Sequence, residues 1–191
     1  MRSHIVAVPR EEDLKLLNNL RDYIYHNDYR FKNKPLSSDT HLTLAEIELD
    51  EDRVPELKRK LSREISEMPF TLTEDEWILT KEDKEANYKV NKPYTWIALK
   101  FPQRKNLYQE IDILTAEMDI NRNKGYIENV KRIESNSGEY IGNHINLANY
   151  TRRDKANECW EYFNSKLPKK IVFYTLALIG LRGRYIFEIK Y

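Results

Sequence analysis

The sequence predicts an α+β fold in which antiparallel strands alternate with amphipathic helices. Three observations carry that expectation. Apolar residues recur at helical spacing in separate stretches of the 191-residue chain, alternating strand-like runs lie between them, and the order strand, helix, strand pair occurs twice. With 40% hydrophobic residues the chain is long enough for one sizeable core, or for two small lobes that share one, so residues 1–191 read as a single domain.

The first strand is Met1 to Pro9, whose apolar stretch is too short for the hydrophobic region of a signal peptide. Leu14, Leu17, Leu20 and Ile24 mark a helix, and Glu11, Glu12 and Asp13 suit the positive end of its dipole. A polar stretch, Tyr29 to Pro35, leads into a strand from Thr40 to Leu49. Val54, Leu57, Leu61, Ile65 and Met68 form a second helical stripe. Two strands are expected at Phe70 to Leu79 and Tyr94 to Phe101, paired with each other and joined by a charged loop from Lys81 to Lys92. Leu107, Ile111, Leu114 and Met118 mark a third helix. A polar segment then reaches the strand from Asn143 to Tyr150, followed by a helix from Asp154 to Leu167. The chain closes with strands at Lys170 to Gly180 and Arg184 to Lys190 around a turn at Gly180 to Gly183.

Composition excludes several classes of function. Thirty-two Lys and Arg nearly balance 31 Asp and Glu, so no strong field recruits a long nucleic acid or an anionic membrane. No apolar run approaches a membrane span. Glycine is scarce, there is no Gly-rich phosphate loop, and no Cys/His cluster has zinc spacing. Cys159, the only cysteine, reads as a small core residue, which suits a reducing, cytoplasmic setting. A monomer without metal or cofactor is expected.

Two segments nearly repeat each other: Thr40-His41-Leu42-Thr43-Leu44-Ala45 and Asn143-His144-Ile145-Asn146-Leu147-Ala148. In each, a histidine and a hydrogen-bonding side chain two residues later share one face of a strand. Histidine titrates near neutrality, so a facing pair supplies one general base and one general acid. A duplicated unit would bring the two strands together about a pseudo-twofold axis. His4 and His26 lack such a partner, and His4 reads as structural, while Trp77, Trp96 and Trp160 read as core.

The two segments resemble the His-x-Thr/Ser motifs of the 2H phosphoesterase superfamily, which includes the RNA 2′-5′ ligase-like proteins and the 2′,3′-cyclic phosphodiesterases. His41-Leu42-Thr43-Leu44 matches outright, whereas His144-Ile145-Asn146-Leu147 has Asn in place of Thr or Ser. Asn149 stands where many relatives carry a basic residue, and Arg152 and Arg153 lie close by. The resemblance implies two pseudo-symmetric lobes of antiparallel sheet, with helices outside and a central cleft. It implies a metal-independent phosphodiesterase acting on a 2′,3′-cyclic phosphate or 2′-5′ linkage in a nucleotide, an oligonucleotide or an RNA end. His41 and His144 would exchange protons with the substrate, and Thr43 and Asn146 would hold its phosphate oxygens. Tyr150, Arg152 and Arg153, with Arg30, Phe31 and Lys32 before the first motif, are the expected substrate contacts, since aromatic and basic residues together suit base stacking and phosphate. A signalling oligonucleotide as substrate, or a nucleotide-binding module weakened at Asn146 and Asn149, are the alternatives.

Overall fold

A computed structural model describes residues 1–27, 39–86, 93–101, 104–122, 143–180 and 183–191, leaving aside the side chains of 25–27, 143, 149 and 150. Its strands are β1 (Arg2–Pro9), β2 (Leu42–Glu48), β3 (Phe70–Thr73), β4 (Ile78–Lys84), β5 (Tyr94–Phe101), β6 (Asn121–Arg122), β7 (Asn143–Thr151), β8 (Lys170–Gly180) and β9 (Tyr185–Lys190). Its helices are α1 (Glu11–Asn27), α2 (Val54–Glu64), α3 (Lys105–Glu117) and α4 (Ala156–Lys166).

The strands form two antiparallel sheets. The larger runs β3-β8-β1-β2-β6, with β9 also paired to β8. Phe173 of β8 pairs with Pro9 on one edge and Phe70 on the other, and Thr175 pairs with Val8 and Lys190, so β3 and β9 follow one another along the same edge. The smaller sheet runs β4-β5-β7. Each sheet therefore carries one motif strand, and the repeated units exchange partners. The pair β4–β5 from the first half binds β7 of the second, while β8 and β9 from the second half complete the sheet of β1 and β2.

The stretch from Phe70 to Leu79 is not one strand. Phe70–Thr73 joins β8 in the larger sheet, residues 74–76 turn, and Ile78–Lys84 pairs with β5 in the smaller. The expected loop thus begins later, because the charged residues from Lys81 to Lys84 continue an edge strand. At an edge, only one side of the ladder needs filling, and charged side chains stay hydrated there.

Helix α1 projects Leu17, Leu20 and Ile24 into the core, and it packs against β7 and α4. Asp13 at its start is 6% exposed and accepts the Val172 N–H at 2.9 Å and the Arg10 side chain at 2.9 Å, fastening the helix to β8. Helix α2 has Pro55 in its first turn, where the missing N–H costs nothing, and buries Leu57 and Leu61. It packs on β9 and α3, and α3 packs on β2 through a face of Leu107, Ile111 and Leu114. Helix α4 buries Ala156, Cys159 and Phe163 and lies against β4 and β5. Cys159 is buried.

Strand alternation sends Ile5, Ala7, Leu42 and Leu44 of the larger sheet, and Ile97, Leu99, Phe101 and Ile145 of the smaller, into one continuous core. The opposite faces carry the polar motif side chains. No helix among the described residues is long and apolar enough to cross a membrane.

Candidate active site

The first motif sits where the chain enters β2. His41 immediately precedes the strand, and Thr43 lies opposite Val6 of β1. A bulge follows, with Ile5 opposite Ala45, after which Glu46 faces His4. The bulge keeps Leu44 and Ala45 both buried while His4, Val6, Thr43 and Glu46 share the other face. His4 shares this face with the motif, and burial holds its pKa below the ordinary 6.5.

A hydrogen-bonded frame fixes His41. Asn18 of α1 donates from its amide to Asp39 Oδ1 at 2.9 Å, and its Oδ1 accepts from Thr40 N at 3.0 Å and Thr40 Oγ1 at 2.8 Å. Arg21, one turn further along α1 and 6% exposed, donates to Thr40 Oγ1 at 3.0 Å. The Tyr185 hydroxyl donates to Asp39 Oδ2 at 3.1 Å, and burial, with the Asp39 carboxylate, holds that phenol well above its ordinary range. The residue before the histidine and the residue before that are thus pinned from α1 and β9.

His41 Nδ1 lies 2.7 Å from the Asp39 carbonyl oxygen. A carbonyl only accepts, so Nδ1 carries the proton and, in the neutral ring, Nε2 keeps its lone pair. Burial pushes the His41 pKa below its ordinary 6.5; the Asp39 carbonyl and carboxylate oppose this, and Arg21 and His4 reinforce it. At neutral pH the ring is uncharged and basic at Nε2. Thr43 is anchored through its backbone, whose carbonyl accepts the Tyr108 hydroxyl of α3 at 2.9 Å.

The second motif lies on β7, with His144 opposite Lys100 and Asn146 opposite Ala98 of β5. Trp96, Ala98 and Lys100 alternate with the buried Ile97, Leu99 and Phe101, so they share the face of the motif. Trp96 is accordingly not core. Its indole N–H donates to Asn146 Oδ1 at 2.6 Å, and its ring meets that of His144 edge-on, centroids 5.0 Å apart at 86°. Lys84 and Lys100 place ammonium groups 5.6 and 5.3 Å from the Trp96 centroid. Glu82, facing Trp96 across the ladder, binds Lys84 at 2.7 Å and also binds Lys100. Burial alone would raise the Glu82 carboxyl, but the hydrogen bonds and charges of the two lysines outweigh it and the pKa is lowered.

Trp77 and Trp160 do pack on the core, and Trp160 Nε1 donates to the Leu79 carbonyl at 3.2 Å. Among the other expected substrate contacts, Arg152 pairs with Asp154, and Arg153 reaches Glu85 at 2.9 Å and the Lys84 carbonyl at 3.3 Å. The Tyr150 side chain and residues Arg30, Phe31 and Lys32 lie outside the described residues, as does the side chain of His26. Strands β2 and β7, hydrogen-bonded in different sheets, are in tertiary contact. Among the described residues no three His, Cys, Asp or Glu side chains group as metal ligands.

The sequence reading missed Trp96 and Lys100, although their alternation with Ile97, Leu99 and Phe101 was a signal that could have placed them on the polar face. Asn18, Arg21 and Tyr185 carried no such sign, because each reaches residues 39–40 from a distant element.

No protein-family model matches the chain, and no curated protein matches it. Among solved structures, the chain is similar to one described as a phosphoesterase, at 15% identity over 99% of this chain and 97% of the other, with a TM-score of 0.47. It is also similar to E. coli LigT complexed with 3′-AMP, at 16% identity over 100% of this chain and 94% of the other, with a TM-score of 0.45. At this level of overlap, the chemistry of the site rests on its own residues.

Proposed function

We propose that this chain is a 2H phosphoesterase, a metal-independent phosphodiesterase that hydrolyses a 2′,3′-cyclic phosphate or a 2′-5′ linkage in RNA or an oligonucleotide. The observation that carries the reading is the pair of half-sites: a histidine with a hydrogen-bonding side chain two residues on, one on each sheet, on strands that touch.

The tautomer of His41 supports a division of roles. With Nδ1–H held by the Asp39 carbonyl and the ring kept neutral by burial, His41 Nε2 is the general base. It takes the proton of a water whose oxygen attacks phosphorus. His144, as imidazolium, gives a proton to the ribose oxygen as its bond to phosphorus breaks, leaving a phosphomonoester and a free hydroxyl. Thr43 Oγ1 and the Asn146 amide donate to the non-bridging oxygens while charge builds on them, and donors of this kind are worth roughly 10²- to 10³-fold each. Tyr150, Arg152 and Arg153, with Arg30, Phe31 and Lys32, would hold the nucleotide beyond the phosphate.

The test is turnover of a panel of 2′,3′-cyclic nucleotides, 2′-5′ dinucleotides and cyclic or 2′-5′-linked signalling oligonucleotides, in the presence of chelator. Wild type should hydrolyse at least one class. His41→Ala and His144→Ala should each lose about 10²- to 10⁴-fold in kcat with substrate affinity little changed. Hydrolysis of signalling oligonucleotides alone would assign the alternative substrate class. Binding without hydrolysis, unaltered by the alanine variants, would overturn the enzyme in favour of a binding module.

A further inference from the structure

We infer that Trp96 and Lys100 complete the second half-site as a phosphate-binding site: Trp96 is a positioning residue that turns the Asn146 amide so that its NH2 meets the phosphate, and Lys100 supplies the charge. The inference rests on the paired-histidine reading and names the parts that grip the anion in it.

The argument starts from the chemistry of an amide. A threonine hydroxyl rotates freely and donates from one atom, whichever way it is approached. An asparagine has an acceptor on one branch and two donors on the other, and a half-turn exchanges them. Presented oxygen-first, it would repel a phosphate. An indole N–H can only donate, so the Asn146 atom 2.6 Å from Trp96 Nε1 is the carbonyl oxygen, and the NH2 group is left on the opposite branch. An Asn in place of Thr or Ser needs such a lock to serve as a phosphate donor, and Trp96 provides it.

Charge is supplied on the same face. Lys100 stands directly opposite His144 in the ladder, and its ammonium lies over the Trp96 ring. Lys84 lies over the same ring, and the two ammoniums share the carboxylate of Glu82. Among the described residues, two cations on one anion leave one positive charge in excess beside His144. Arg152 and Arg153 each have a carboxylate partner elsewhere. Lys100 therefore brings a cation to the motif face, directly opposite His144. A single cation with two N–H donors fits the non-bridging oxygens of a phosphodiester or the oxygens of a phosphomonoester product.

The experiment has one arm that needs no turnover. Inorganic phosphate is titrated into 15N-labelled full chain, reading the Asn146 side-chain NH2 and the Trp96 indole N–H. Both signals should shift saturably in wild type, and phosphate affinity should fall about tenfold in Trp96→Phe, which keeps a ring and loses the N–H, and in Lys100→Gln. Absence of shifts at these two groups, or unchanged affinity in both variants, overturns the inference. Shifts without any hydrolysis leave the inference standing and overturn the enzyme reading instead. The second arm is a double-mutant cycle in kcat/KM. Trp96→Phe should cost 10- to 100-fold with Asn146 present and less than threefold in the Asn146→Thr background, because a hydroxyl needs no lock. An equal loss in both backgrounds would show that Trp96 only packs, and would overturn the positioning role.

Discussion

Replacing Thr40 by valine should destabilise the protein more than replacing it by serine, although valine preserves the shape of the side chain. Thr40 is 1% exposed, and its Oγ1 accepts from the buried Arg21 guanidinium at 3.0 Å while donating to Asn18 Oδ1 at 2.8 Å. Valine removes both bonds. Loss of a hydrogen bond to a charged group costs about 1.5–3 kcal/mol and a neutral one about 1 kcal/mol, with the former partners left short of a bond in a water-poor site. The extra methyl recovers about 1 kcal/mol at most. The net expectation for Thr40→Val is a loss of about 1.5–3 kcal/mol. Serine keeps both bonds and loses one methyl, so Thr40→Ser should cost about 1 kcal/mol. Urea denaturation at constant slope gives the difference directly from the two midpoints. A Thr40→Val cost at or below that of Thr40→Ser would refute the claim that the hydroxyl, rather than its volume, holds the segment before His41. The same variant should lower kcat more than it raises KM, because it loosens the base and not the substrate contacts.

Three further outcomes follow from the geometry. The His41 pKa is depressed by burial, so the acid limb of kcat/KM should lie below pH 6.5, and NMR titration of its ring should give the same value. In linkage terms, the unfolded chain binds more protons in that window. Stability attributable to His41 is therefore complete above pH 6.5 and lost as pH falls through the folded pKa, and a denaturation series that rose on acidification would contradict this. Glu82→Gln frees the charges of Lys84 and Lys100, so inorganic phosphate should bind about three- to tenfold tighter with a steeper salt dependence; unchanged affinity at low salt would count against those lysines as the anion contact. Phe163→Ala, at a fully buried position of α4, should cost about 3–5 kcal/mol, measured by the same urea midpoints.

What could be read from the sequence was whatever had a period. Leu17, Leu20 and Ile24, or Ile97, Leu99 and Phe101, announce their elements because burial on one face imposes 3.6- or 2-residue spacing. Strand β4 escaped that logic. Its inner ladder is satisfied by β5, it is an edge strand among the described residues, and the residues Lys81 to Lys84 need no apolar partner there. The split between β3 and β4 was likewise hidden, because both pieces are strands and only the turn at 74–76 redirects one of them to β8. Within the site, His41, Thr43, His144 and Asn146 stood out by repetition. The frame around them did not, since Asn18 meets Asp39 across 21 residues and Tyr185 meets it across 146. Trp96 lay between the two cases. Its alternation with Ile97 placed it on the polar face, but a tryptophan inside a strand reads as core unless its N–H has a partner on the other side.

The exchange of strands between the two halves has a consequence for how the chain is made. Strand β1, with the apolar run Ile5-Val6-Ala7-Val8, can pair with β2 early, but its other edge is closed only by β8, more than 160 residues downstream. At roughly 5–20 residues per second of synthesis, that edge waits on the order of ten to thirty seconds for its partner. A growing chain thus carries a bare, sticky β-edge through most of its translation. Cells that express it fast should gain from a holdase, and slowing the ribosome upstream of β8 should lower the yield of native protein, the reverse of what pausing does for domains whose sheets close in sequence order.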